Sequence, residues 1–210
     1  MKLAALVLAG GAGERFGGGK LGMMLGGRPL LAYALDAAAA SGGAIVVVVG
    51  TSPAAADIAR AWARWMPTSM RIVAAENPTE GMGASLRAGL AAVDPDTDGA
   101  FVFLGDMPFV PHAILPLLAA ELARGAPAAA PVFDGVRGHP VLLGRGLIER
   151  RALISGDRGA GGLLSSEPGL ALVEAPDDGV LLDIDTPEDL AAACARQAKA
   201  TNRADLHRDC

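Results

Sequence analysis

Residues 8–20, Leu-Ala-Gly-Gly-Ala-Gly-Glu-Arg-Phe-Gly-Gly-Gly-Lys, set two cations, Arg15 and Lys20, in a glycine-rich loop. The apolar run from Leu3 to Leu8 reads as a buried strand, so the loop lies just past a strand's carboxyl end. Gly10, Gly11 and Gly13 let backbone N–H groups approach an anion where a Cβ would obstruct. Arg15 and Lys20 then neutralise charge that amides only solvate. Such a loop suits a nucleoside triphosphate; the plainer alternative is a glycine-rich turn with solvated charges.

Two familiar phosphate loops do not fit. A P-loop requires Ser or Thr after its Gly-Lys, and here Leu21 follows Lys20, with Glu14 in place of the first glycine. A dinucleotide fingerprint begun at Gly11 and Gly13 requires a glycine at position 16, which is Phe16.

Carboxylates complement the cations. Phe101-Val-Phe-Leu-Gly-Asp-Met-Pro108 places Asp106 directly after an apolar strand, on a tight backbone at Gly105. Mg²⁺, which takes one or two carboxylates together with phosphate oxygens and water, is the chemistry that suits it. The alternative is an Asp that caps the following helix. In Leu181-Leu-Asp-Ile-Asp-Thr-Pro187, Asp183 and Asp185 are two apart and point the same way on extended backbone, with Ile184 turned to the core. Asp185 is the better ligand, and Asp183 orients it or reaches the metal through water. Their alternative role is helix capping, for which Thr186 already suffices.

The elements that must position these groups alternate strand and helix. Strands are expected at Ala4–Leu8, Ala44–Val49, Arg71–Ala75, Ala100–Leu104, Ala128–Val132, Pro140–Leu143, Leu170–Glu174 and Val180–Leu182. Helices are expected at Pro29–Ala40, Ala54–Trp65, Gly83–Val93, Pro111–Arg124 and Arg145–Ile154, with a last one beginning at Thr186. Trp62 and Trp65, three apart on a helix, suggest packing. The pattern is an α/β chain with a single-domain, doubly wound, mostly parallel sheet, spanning residues 1–194. Residues 195–210 read as a frayed polar tail. Ligands on such sheets bind beyond the carboxyl ends of strands, which points to loops 9–20, 76–85, 105–109 and 183–187.

Net charge is −5 with no basic block and only eight aromatic residues, which argues against nucleic acid as a partner. Cys194 and Cys210 have neither CxxC nor His spacing, so no zinc site or disulfide framework follows and a reducing cytoplasm fits. The apolar start resembles a signal peptide only superficially, since cleavage would delete the first strand and reach the phosphate loop. No stretch is long and charge-free enough to span a bilayer.

With these segments assembled, the chain resembles the MobA-like nucleotidyltransferases, specifically molybdenum cofactor cytidylyltransferases, from about Leu6 to Leu190. The matching pieces are Leu8–Lys20, Gly27-Arg-Pro-Leu-Leu31, Glu80-Gly-Met-Gly-Ala-Ser-Leu-Arg-Ala-Gly-Leu90, Gly105-Asp-Met-Pro108, Gly138-His-Pro-Val141, Ser155-Gly-Asp-Arg-Gly-Ala160 and Asp183-Ile-Asp-Thr-Pro-Glu-Asp189. The glycine and Gly-Asp-Met-Pro loops are common to the superfamily. The Ser-Leu-Arg, Gly-His-Pro and Gly-Asp-Arg-Gly-Ala segments are more particular to the cytidylyl branch. Phe16 stands where the family usually has Met. Gly10 stands where the cytidylyl signature usually has Ala and is closer to guanylyl relatives, whereas the two-residue gap between Gly17 and Lys20 follows the cytidylyl pattern.

The resemblance implies a Rossmann-like, three-layer α/β/α nucleotidyltransferase fold that transfers CMP from CTP to the terminal phosphate of molybdopterin, releasing pyrophosphate. GTP or a sugar phosphate in place of either substrate is the neighbouring alternative. It implies Mg²⁺ near Asp106 and Asp185, and Arg15 and Lys20 on the triphosphate. The rival from another class is a binding module, a carrier or insertion partner that holds the molybdenum cofactor and hands it to an apo-molybdoenzyme. Leu8, Ala9, Gly10, Gly11 and Gly13 would line the nucleotide on one side, and Glu80, Gly81, Ser85 and Arg87 on the other. Arg87 is otherwise a solvated helix cation. His139, in a Gly-rich turn before Pro140, and Asp157 and Arg158, between glycines, are acceptor-binding candidates; turn packing or plain exposure is their alternative. A phosphate monoester acceptor is largely dianionic at neutral pH, its second pKa being about 6, so attack at the α-phosphorus requires no general base. Positioning and charge neutralisation would carry such a reaction.

Overall fold

The computed structural model describes residues 1–10, 19–50, 53–66, 69–75, 81–154, 156, 159–165 and 167–206. Its centre is β1 (Leu3–Ala9), flanked in parallel by β4 (Ala44–Val49) and β6 (Gly99–Leu104). These strands are near-continuous apolar runs because both faces are covered, as parallel sheets require. Ala5, Val7 and Ala9 point into one core and Ala4, Leu6 and Leu8 into the other, the period-two alternation of a strand. Beyond β4, β5 (Met70–Ala74) adds a parallel edge.

On the other flank the sheet turns mixed. β9 (Val141–Gly144) runs antiparallel between β6 and β7 (Ala128–Phe133), and β10 (Ala171–Glu174) pairs parallel with β7. The strand order is β10-β7-β9-β6-β1-β4-β5, with the short β8 (Val136–Arg137) hairpinned onto β7. Because β9 is reversed, its first residues lie at the same end as the carboxyl ends of β1 and β6. That reversal delivers His139 to the crevice.

Helices α1 (Leu30–Ala40), α2 (Pro53–Ala63) and α4 (Ile114–Ala123) cover the first face, with Phe101 and Phe103 beneath them. Helices α3 (Met82–Ala91), α5 (Arg145–Glu149) and α6 (Gly161–Ser165) cover the second. The chain is thus the three-layer, mostly parallel α/β fold expected from its alternation. A small hairpin, β2 (Met24–Leu25) with β3 (Arg28–Pro29), lies outside the main sheet. Helix α7 (Pro187–Leu206) meets it through a third, smaller apolar cluster of Leu25, Leu30, Ile184 and Ala193.

Several local expectations are corrected. Val180–Leu182 is no strand: Asp178–Val180 forms a 3₁₀ turn because the Asp177 carboxylate accepts the Gly179 N–H at 2.8 Å. The Arg145–Ile154 helix breaks at Arg150 into a 3₁₀ turn, Arg150–Leu153. The last helix does not fray after residue 194. It runs to Leu206, with Arg196 donating to Asp178 at 2.7 Å and Gln197 to the Tyr33 hydroxyl at 2.8 Å. Trp62 packs as expected and donates to Asp36 at 2.8 Å, whereas Trp65 is 87% exposed. Among the described residues no helix is long and apolar enough to cross a membrane.

Candidate active site

Lys20, Asp106 and Asp185 meet at the carboxyl ends of β1 and β6, although 86 and 165 positions separate Lys20 from its partners. Lys20 opens a 3₁₀ turn, Lys20–Gly22, anchored by buried Leu21 and by the Met23 N–H donating to the Lys20 carbonyl at 3.0 Å. Gly19 before it adopts φ 73°, a left-handed conformation suited to glycine. Asp106 is fixed by its strand exit. The Gly105 N–H donates to the Leu8 carbonyl at 2.9 Å, and a Cβ at 105 would stand 3.1 Å from that same oxygen.

Asp185 reaches the crevice from the far end of the chain. The Ile184 N–H donates to the Asp106 carbonyl at 3.1 Å, which stitches the two acid segments together while Ile184 buries its side chain. Helix α7 then starts with a reciprocal cap. The Asp189 carboxylate accepts the N–H groups of Asp185 and Thr186 at 3.0 and 2.7 Å, and the Thr186 hydroxyl accepts the Asp189 N–H at 3.2 Å. Asp189 does the work that Glu does in the usual box.

The ammonium of Lys20 bridges the acids, 2.7 Å from Asp106 Oδ2 and 2.8 Å from Asp185 Oδ1, with only a tenth of the lysine side chain exposed. Burial alone would lower its pKa, but the hydrogen bonds and charges of Asp106 and Asp185 more than reverse this and hold it above the ordinary lysine range. Asp183 stands nearby. Partial desolvation, then the Asp185 and Asp106 charges, push its carboxyl above the usual range. Two carboxylates already sharing one small cation are a donor set that fits Mg²⁺, a hard ion with oxygen ligands.

Beside the acids lies a cavity of about 240 Å³, lined by Leu8, Met82, Leu104, His139, Ala160 and Leu164, among others. The His139 N–H donates to the Val180 carbonyl at 2.8 Å. The residue keeps part of its surface open, but its Nδ1 is shut off from solvent and has no hydrogen-bond partner among the described residues. Burial pushes the imidazole below its ordinary pKa, against a backbone hydrogen bond at Val102 and the Asp106 charge. A neutral imidazole on the cavity wall is a polar group within reach of a ligand bound there. A larger cavity, about 480 Å³, opens at the opposite end of the sheet. Its charges are engaged in Arg145–Asp98 and Arg150–Glu167 pairs at 3.0 and 2.9 Å, so the smaller one is the better candidate.

The remaining positions divide. Leu8 lines the cavity, Ala9 ends β1, and Gly10 lies so close to α3 that a Cβ on it would stand 2.8 Å from the Ser85 hydroxyl. Gly81 precedes α3 with φ 84°, and the Gly83 N–H donates to the Gly156 carbonyl at 3.0 Å, which joins this rim to Gly156. Arg87 donates to the Ile154 carbonyl at 2.7 Å, which ties α3 to the end of the 3₁₀ turn Arg150–Leu153. Gly11, Gly13, Arg15, Glu80, Asp157 and Arg158 lie outside the described residues. Asp189 stands three residues after Thr186, where the sequence offers Asp in place of the usual box Glu, and its backbone contacts add the positioning of Asp185.

The sequence profile of the MobA-like NTP transferase domain matches residues 5–174. A relative named molybdenum cofactor guanylyltransferase, from Cereibacter sphaeroides, is 32% identical over 198 residues, covering 92% of this chain and 96% of that one. A second, the 2-C-methyl-D-erythritol 4-phosphate cytidylyltransferase of Frankia casuarinae, is 33% identical over 135 residues, 62% of this chain and 48% of that protein. Among solved structures, Rv0371c from Mycobacterium tuberculosis H37Rv is 26% identical with a TM-score of 0.78, covering 93% of this chain and 98% of its own. A further structure of that protein is a complex with manganese, 25% identical with a TM-score of 0.74, covering 93% and 99% of the two chains.

Proposed function

The chain belongs to the MobA-like NTP transferase family, and from that premise we propose that it transfers CMP from CTP to the terminal phosphate of molybdopterin, releasing pyrophosphate. One observation carries the reading. A lysine from the amino-terminal loop and carboxylates from two distant segments converge beside a cavity lined by His139.

Asp106 and Asp185 would hold Mg²⁺, and Asp183 would orient Asp185. When bound, the ion would polarise phosphate oxygens and offset charge that builds between two anionic substrates. Lys20 balances charge on the triphosphate and its leaving pyrophosphate, with Arg15 as its companion. The acceptor phosphate, already dianionic, needs no side chain to deprotonate it, which suits a site of Lys and Asp. His139 would meet the acceptor's polar rings from the cavity wall. Asp157 and Arg158 are the further acceptor-binding candidates.

A second reading, GMP from GTP, is favoured by two observations: Gly10 follows the guanylyl pattern, and the full-length relative from Cereibacter sphaeroides carries the guanylyl name. The experiment is pyrophosphate release with each of the four NTPs, with and without molybdopterin and Mg²⁺. Release that requires CTP, acceptor and metal together is the expected result. Faster release with GTP selects the second reading, and release only with a sugar phosphate overturns the acceptor.

A further inference from the structure

The Lys20 ammonium occupies the point between Asp106 and Asp185, using two of its three donors at 2.7 and 2.8 Å. A divalent ion would need the same oxygens at about 2.0–2.1 Å. Two cations cannot share so small a space. We propose that Lys20 is a built-in counterion that fills the divalent-cation position while no nucleotide is bound, and is exchanged onto the triphosphate when the metal arrives with it.

Three features support exchange rather than permanent bridging. Lysine carries a compact charge on a flexible four-carbon stem, so it can swing where a planar guanidinium would lock bidentate onto one carboxylate. The residue follows Gly19, whose backbone is left-handed and has, among the described residues, nothing within 4 Å of where a Cβ would stand. The triphosphate supplies the anion that Lys20 must move to, from the loop on whose last residue it sits.

The consequence is an ordered site. Metal alone competes with Lys20 and binds weakly; metal with nucleotide gives the ammonium a better partner and binds tightly. The inference rests on the proposed metal role of Asp106 and Asp185.

Mn²⁺ binding, read by electron paramagnetic resonance or calorimetry on the whole chain, tests both apart. Lys20→Met is expected to bind Mn²⁺ at least about tenfold tighter than the unaltered protein without nucleotide, the scale of losing a charge-assisted hydrogen bond. With a non-hydrolysable CTP analogue the order inverts, because Lys20→Met has lost its contact with the triphosphate. Lys20→Arg keeps the charge and stays near the unaltered affinity; tightening to the Lys20→Met level would overturn exchange. Asp106→Asn abolishes tight Mn²⁺ binding in every background. If Lys20→Met binds Mn²⁺ equally or more weakly while Asp106 is still required, exchange is overturned and the metal site stands. Absence of any Asp106-dependent Mn²⁺ binding, even with nucleotide, overturns both.

Discussion

His139 and Val180 are joined backbone to backbone, the His139 N–H donating to the Val180 carbonyl at 2.8 Å. The contact ties the turn that enters β9 to the segment that leads into Asp183 and Asp185. Gly138 makes it possible. A Cβ there would stand 2.3 Å from the same Val180 oxygen, a distance that only a backbone shift relieves. Gly138→Ala is therefore expected to cost about 1–3 kcal/mol of stability, as overpacking does, and to lower activity by moving His139. Urea unfolding measures the first; a midpoint shift worth under about 0.5 kcal/mol would remove the constraint.

Lys20→Ala and Asp106→Ala should each lower turnover at least about a hundredfold, the scale of removing a preorganised charge from a transition state. Their side chains reach the crevice from anchored backbone, so far-ultraviolet circular dichroism should stay unchanged. Rates within threefold of the unaltered protein would take both residues out of the mechanism.

His139 gives a pH dependence whose sign follows from its environment. Burial lowers its pKa in the folded chain, whereas the unfolded chain titrates near the ordinary 6.5. As pH falls below that value the unfolded state binds the proton first, so stability is full above about 6.5 and declines toward the folded pKa. The Asp189 carboxyl, held below 3.8 chiefly by the Thr186 side chain, contributes its own loss only in more acidic solution. Thermal unfolding between pH 7 and 5 should therefore flatten in His139→Asn. An unchanged slope would show that the imidazole is not kept neutral by the fold.

The strands were legible because a parallel sheet covered on both faces demands continuous apolar runs, and Leu3–Ala9, Ala44–Val49 and Gly99–Leu104 are such runs. Asp106 was legible because its place after Gly105 at a strand exit follows from local order alone. The 177–182 segment misled for the opposite reason. Val180 is fully buried, yet Asp177 captures the Gly179 N–H and Arg196 donates to Asp178, contacts that no hydrophobic period records. The packing of Arg196 and Gln197 was equally hidden, since their partners Asp178 and Tyr33 are set by tertiary structure. Nor does any spacing reveal that the acids share one ammonium.

The cap on α7 leads to the last prediction. Asp189 makes no ion pair with Lys20; its carboxylate holds the N–H groups of Asp185 and Thr186 and so fixes the backbone from which the Asp185 side chain leaves. Groups that orient a metal-holding residue typically change metal affinity or activity by about 10–100-fold when removed. Asp189→Ala should then raise the Mg²⁺ concentration for half-maximal rate by about tenfold or more, with rate recovered at saturating metal. Lys20→Ala, by contrast, should stay slow at every Mg²⁺ concentration. Asp189→Asn keeps one acceptor oxygen and should fall between Asp189→Ala and the unaltered protein. If Asp189→Ala lowers the rate equally at all metal concentrations, the cap supports the helix alone and does not position Asp185.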